Sequence, residues 1–212
     1  MAEAVGTALL VATVVGSGVM AQRLAPGQTL LQLLCNAVAT VAALGVLIVV
    51  FGPVSGAHLN PAVTLVDAVL TSRRWGTAAG YITVQLAGGV AGTLLAHAMF
   101  GLPLVQLDGP VRGGAGQWLG EAVATGGLVL VITVLVARRR ADLVPLAVPA
   151  WILAAHFFTS STSFANPAVT LGRALTGTFA GIAPSSVPAF VLAQLVGAGL
   201  AVGLAVVLKQ AP

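Results

Sequence analysis

Cysteine is all but missing from this chain. Cys35 stands alone in an apolar run, which excludes an intramolecular disulfide and leads one to expect a small core residue. Charge is nearly as scarce: five Asp and Glu and nine Lys and Arg make up 7% of 212 residues, and aromatic residues only 5%. No cysteine pair, H-x-x-x-H spacing, Walker loop or G-x-S-x-G elbow occurs, so an enzyme has little support and neither a metal nor a cofactor is expected. What is present is apolar, with 58% hydrophobic residues and a mean hydropathy of +1.04. This places the chain in the membrane class, with lipid as its surroundings. The net charge of +4 is then no nucleic-acid footprint, because the cations stand mostly at the ends of apolar spans and set topology.

Six spans are expected, over residues 4–22, 29–51, 76–100, 118–137, 143–159 and 185–208. The first has Glu3 where a signal peptide would carry basic residues, and it is long enough to span, so it reads as a retained helix. The third is rich in small residues, among them Gly80, Gly88, Gly89 and Gly92, which let helix backbones approach closely in lipid. Between the third and fourth spans, residues 101–117 read as a loop because of Pro103, Asp108-Gly109-Pro110 and Gly113-Gly114.

One polar hexapeptide occurs twice, as Asn60-Pro61-Ala62-Val63-Thr64-Leu65 and as Asn166-Pro167-Ala168-Val169-Thr170-Leu171. Asparagine is a good N-cap, and proline is well placed at the first helical position, so each copy reads as a helix start. From Pro61 the helical pattern reaches only to about Leu70, roughly 15 Å and half a bilayer core. Two half-helices meeting head to head at mid-membrane would turn unpaired N–H groups, capping amides and a positive field into a pore, which would exclude cations and protons.

Other echoes point to a duplication. Glu3-Ala-Val-Gly-Thr7 matches Glu121-Ala-Val-Ala-Thr125, and Gln85-Leu-Ala-Gly88 matches Gln194-Leu-Val-Gly197. Three full spans per half is an odd number, so the halves must be inverted, over about 1–100 and 118–208 of a single 1–212 domain, with a site at the midplane between them. Cytoplasmic termini place Arg73, Arg74, Arg138, Arg139, Arg140 and Lys209 inside and leave Arg23, Arg112 and Arg173 outside, the arrangement that the positive-inside rule favours.

Over essentially its full length the chain resembles the aquaporin or major intrinsic protein family, and Ser55-Gly-Ala-His-Leu-Asn-Pro-Ala-Val-Thr-Leu65 is similar to that family's first signature almost letter for letter. The resemblance implies an all-α membrane protein, with six transmembrane helices plus two re-entrant half-helices. It further implies a homotetramer with a pore in each protomer and passive passage of small neutral solutes. The family's pore asparagines map onto Asn60 and Asn166, and its buried glutamates, which hold the re-entrant loops, onto Glu3 and Glu121. Residues 157–171, from Phe157-Phe158 to Leu171, resemble a bacterial subgroup associated with arsenic resistance. That implies a bacterial inner membrane and trivalent arsenicals, which are uncharged hydroxylated species of about polyol size at neutral pH.

The chain departs from the family at the filter. Water channels and typical glycerol channels carry an arginine three residues after the second asparagine, where Val169 stands here. Counting along the family pattern puts the other filter positions near Thr40, Ala154 and Ser163, small residues where water-selective members place a histidine and an aromatic. A filter without the guanidinium should be wider and less polar, passing polyols as well as water.

Residues three and seven places after each asparagine share a helix face: Val63 with Asp67, and Val169 with Arg173. Arg173 is either a mouth charge that partly replaces the missing arginine, or a side chain that snorkels to headgroups or caps a loop carbonyl. His58 either hydrogen-bonds within the re-entrant loop or lines the inner pore, and Phe164 stands beside the second motif. His156, two residues from the presumed filter position, faces the pore only if that count is out of register. Glu3 and Glu121, as ionisable groups in a membrane, also leave open a proton-coupled transporter.

Overall fold

A computed structural model describes residues 1–71 and 74–210, the last three by their backbone alone. Two of the cations counted for orientation, Arg73 and the side chain of Lys209, therefore lie outside the described residues. Among those residues the long elements are α1 (Ala2–Leu24), α2 (Thr29–Ser55), α3 (Pro61–Thr71), α4 (Trp75–Phe100), α5 (Ala115–Ala137), α6 (Val144–Phe158), α7 (Pro167–Arg173) and α8 (Val187–Gln210). Six helical stretches are long and apolar enough to cross a membrane, and α3 and α7 are the two half-helices. The chain is thus an all-helical, multi-pass membrane protein.

Helix α1 packs along α4, and α5 along α8. Small residues make both seams possible: a Cβ on Gly92 would run into the Ala8 carbonyl, and one on Gly197 into the Ala122 carbonyl. Backbone-to-backbone approach of this kind replaces the hydrophobic driving force that lipid removes.

The ends of the elements follow local chemistry. Helix α2 continues past Gly52-Pro53 to Ser55, beyond the stop that these residues suggested. Proline in the last turn removes one donor without preventing closure, and the helix ends where Gly56 turns left-handed (φ 90°), its N–H donating to the Gly52 carbonyl. Helix α5 begins at Ala115, a few residues before the expected 118, after Gly114 (φ 97°) has turned the chain.

Candidate functional site

The two re-entrant loops are built alike. In the first, Ala57 and Leu59 have positive φ (46° and 50°); in the second, Ser163 and Ala165 do (52° and 49°), at the same offsets from their asparagines. Residues other than glycine rarely adopt this conformation unless their surroundings impose it. Here a buried carboxylate holds each loop. Glu3 Oε1 accepts from the Ser55 hydroxyl (2.6 Å) and the His58 N–H (3.0 Å), and Oε2 from the Leu59 N–H (2.7 Å) and Gln85 Nε2 (2.8 Å). Glu121 Oε1 accepts from the Phe164 N–H (2.8 Å), and Oε2 from the Ala165 N–H (2.9 Å) and Gln194 Nε2 (2.6 Å). Each glutamine also donates to the motif threonine, Gln85 to Thr64 and Gln194 to Thr170, both at 2.9 Å. The recurrence of the glutamines was visible in the sequence; their attachment to the glutamates was not.

The asparagines join the two loops. Asn60 Nδ2 donates to the Ala165 carbonyl and Asn166 Nδ2 to the Leu59 carbonyl, each at 2.8 Å. Their Oδ1 atoms cap the half-helices, accepting from the Ala62 and Ala168 N–H groups, both at 2.9 Å. Pro61 and Pro167 follow at the first helical positions, and Ala62 and Ala168 are completely buried where α3 and α7 approach. Each amide has two N–H bonds and spends one on the opposite loop.

A continuous cavity of about 760 Å³ passes both asparagines. His58 and Asp67 from the first motif's surroundings line it, as do Thr40, Ser163, Phe164, Val169 and Arg173. Ala154 is not among its walls. Helix α6 contributes Val144, Val148, Ile152 and His156, spaced four apart on one face. Ala154 lies off that face and is exposed, so the expected place of Ala154 on the cavity wall is corrected: on α6 it is His156 that borders the cavity. Counting back from Asn166 presumes a loop length, and the seven residues 159–165 between α6 and Asn166 place the helix two residues out of that count.

His156 Nδ1 lies 2.7 Å from the Ile152 carbonyl, which can only accept, so Nδ1 carries the proton and Nε2 is an acceptor in the neutral ring. The Thr40 and Ser163 hydroxyls are buried with no protein partner among the described residues. His58 combines its two alternatives: Nδ1 meets the Thr64 hydroxyl at 3.1 Å, Nε2 is 3.9 Å from Asp67 Oδ2, and the ring also borders the cavity.

The sequence left Arg173 with two readings, a mouth charge or a side chain that snorkels or caps a loop carbonyl. It is buried, and its Nε–H donates to the Ala180 carbonyl. Its guanidinium lies 3.4 Å above the centre of the Phe164 ring, with Arg112 at 5.2 Å from the same centre. Arg112 belongs to the 101–114 loop, where its Nε–H donates to the Gly181 carbonyl at 2.9 Å. Burial pushes the Arg112 guanidinium below its ordinary value while the Glu121 carboxylate acts in the opposite sense; arginine starts so far above neutrality that it stays a cation.

The sequence pattern of the family described as Major intrinsic protein (MIP) matches residues 1–165. The chain belongs to that family. Among curated relatives, aquaglyceroporin AqpS from Rhizobium meliloti is 50% identical over 204 residues, covering 96% of this chain and 87% of that protein. Aquaporin NIP1-3 of rice, Oryza sativa subsp. japonica, is 36% identical over 148 residues, 66% of this chain and 52% of that longer protein. Among solved structures, the aquaglyceroporin from Plasmodium falciparum superposes with a TM-score of 0.71 at 22% identity, over 96% of this chain and 92% of that one, which is a likeness of fold. The MIP cavity described above is therefore that of a membrane channel.

Proposed function

We propose that this MIP channel conducts small uncharged, hydroxylated solutes passively: glycerol-like polyols, trivalent arsenicals such as arsenite, and water. The observation that carries the reading is Val169 on the cavity wall, three residues after Asn166, where the family resemblance leads one to expect an arginine. An isopropyl group there removes a fork of donors and a charge. Besides Arg173, one turn farther along α7, the polar groups on that wall are hydroxyls and an imidazole, from Thr40, Ser163 and His156, among apolar residues such as Leu44 and Ile152, which suits a solute with hydroxyls on one side and carbon or a metalloid on the other. Names of relatives point the same way, since the Rhizobium meliloti and Plasmodium falciparum proteins are both termed aquaglyceroporins.

Asn60 and Asn166 present paired amide donors to each passing hydroxyl, while the capped starts of α3 and α7 set a positive field against cations. Glu3 and Glu121 act as scaffold for the loops in this reading. Six apolar helices, a bacterial relative and the excess of arginine on one side support a multi-pass protein of a bacterial inner membrane with both termini cytoplasmic, and the family resemblance supports a homotetramer.

The test is stopped-flow permeability of proteoliposomes to water, glycerol and arsenite, with no ion gradient, for wild type and Val169→Arg. Wild type should pass all three. The arginine variant should retain water and lose the larger solutes by about tenfold or more. A wild type that passes nothing until a proton gradient is imposed would sink the channel reading.

A further inference from the structure

Beyond Val169 the same face of α7 carries Arg173, one turn farther from Asn166. The wall there is buried: His156, Phe164 and Arg173, which all line the cavity, are each 4% exposed. A guanidinium in such a place is costly unless it is paired. No carboxylate forms an ion pair with it among the described residues, and only its Nε–H has a hydrogen-bond partner there, the Ala180 carbonyl. The face of Phe164 supports the charge instead, and that ring is itself held edge-on by Phe190 with ring centres 5.2 Å apart. The Arg173 carbonyl is tied to the Ile182 N–H at 3.2 Å, so backbone and side chain are both anchored. With the planar group laid on a ring and Nε bound, the Nη groups remain as donors beside the cavity that Arg173 lines.

We propose that Arg173, stacked on Phe164, is the charged element of this pore's filter, displaced one helical turn from the position that Val169 has vacated. The inference rests on the channel reading above. It assigns Arg173 two tasks: its fixed charge turns back cations, and its rigid stack with Phe164 sets the largest solute that passes. Arg112 stands farther from the same ring, at 5.2 Å, and does not line the cavity, so it touches no solute.

The test uses proteoliposomes of wild type, Arg173→Met, Arg173→Lys and Arg112→Met, with glycerol, sorbitol and potassium ion as probes and gel filtration to confirm folded protein. Arg173→Met should raise the sorbitol-to-glycerol permeability ratio by about tenfold and open a potassium leak. Arg173→Lys keeps the charge without the planar stack, so it should raise the ratio while holding back potassium. Arg112→Met should leave both near wild type. An unchanged ratio in folded Arg173→Met, or the same changes in Arg112→Met, would show that Arg173 merely caps the loop and would overturn the proposal. Should Arg173→Met fail to fold, an unchanged ratio in Arg173→Lys overturns it equally. Glycerol flux through wild type judges the channel reading separately, because that flux does not depend on where the filter charge sits.

Discussion

Glu121→Ala should yield no stable channel. The substitution strips the acceptor from the Phe164 N–H, the Ala165 N–H and Gln194 Nε2 together, all of them in buried residues. Each buried donor left unpaired costs about 1–3 kcal/mol. The strained conformation of Ser163 and Ala165 adds to the loss, since it persists only while the carboxylate holds their neighbourhood. Thermal unfolding in detergent, followed by gel filtration, should show a sharply lowered midpoint and aggregated protein. Glu121→Gln keeps an acceptor oxygen but turns an amide N–H toward donors, so it should fall between the two. It also separates scaffold from coupling: a Gln variant of wild-type stability that loses transport only under a proton gradient would revive the coupled-transporter reading.

Gly89→Val should be nearly as damaging, through packing rather than polarity. A Cβ at Gly89 would lie 2.5 Å from the Ala168 carbonyl, inside the first turn of α7. Neither backbone can yield without moving Asn166, because the Asn166 side chain caps that same turn and bonds to Leu59 across the pore. Overpacking typically costs about 1–3 kcal/mol, and a clash with backbone stands at the upper end. Solute permeability of any folded fraction should drop with it. Gly80→Val is the control on the same helix: nothing lies within 4 Å of its Cβ, so folding and flux should match wild type. Equal behaviour of the two variants would show that the α4 to α7 contact does not set the pore.

Much of this was legible in the chain. Hydropathy marked the six spans to within a few residues at most ends, because a bilayer demands about twenty apolar residues per crossing and tolerates few charges. The doubled Asn-Pro start announced two half-helices because both residues have strong positional preferences at a helix N-terminus. The matched glutamates were picked out by their recurrence, although nothing local told which backbone groups they would hold. Misreadings arose where the answer depended on a path through space. Gly52-Pro53 reads as a stop, yet a proline in the last turn of α2 sacrifices a single hydrogen bond and the helix outlasts it.

The filter shows the division most plainly. Val169 is positioned by three residues of helix after a capped asparagine, so its place on the cavity wall follows from sequence spacing. His156 and Ala154 are separated from Asn166 by a non-helical loop, and only the course of that loop decides which of them the α6 face turns inward. Arg173 is the same case in another form. Its position on the face of Val169 could be counted, but its burial, its stack on Phe164 and its bond to Ala180 come from loops 101–114 and 174–186 folding over it. The sequence by itself determined a membrane-spanning inverted repeat with two capped half-helices, because these rest on periodicity and on residues adjacent in the chain. Only the tertiary structure decided which side chains ring the cavity on the Val169 side, because those residues come from separate helices and loops whose registers no local interaction sets.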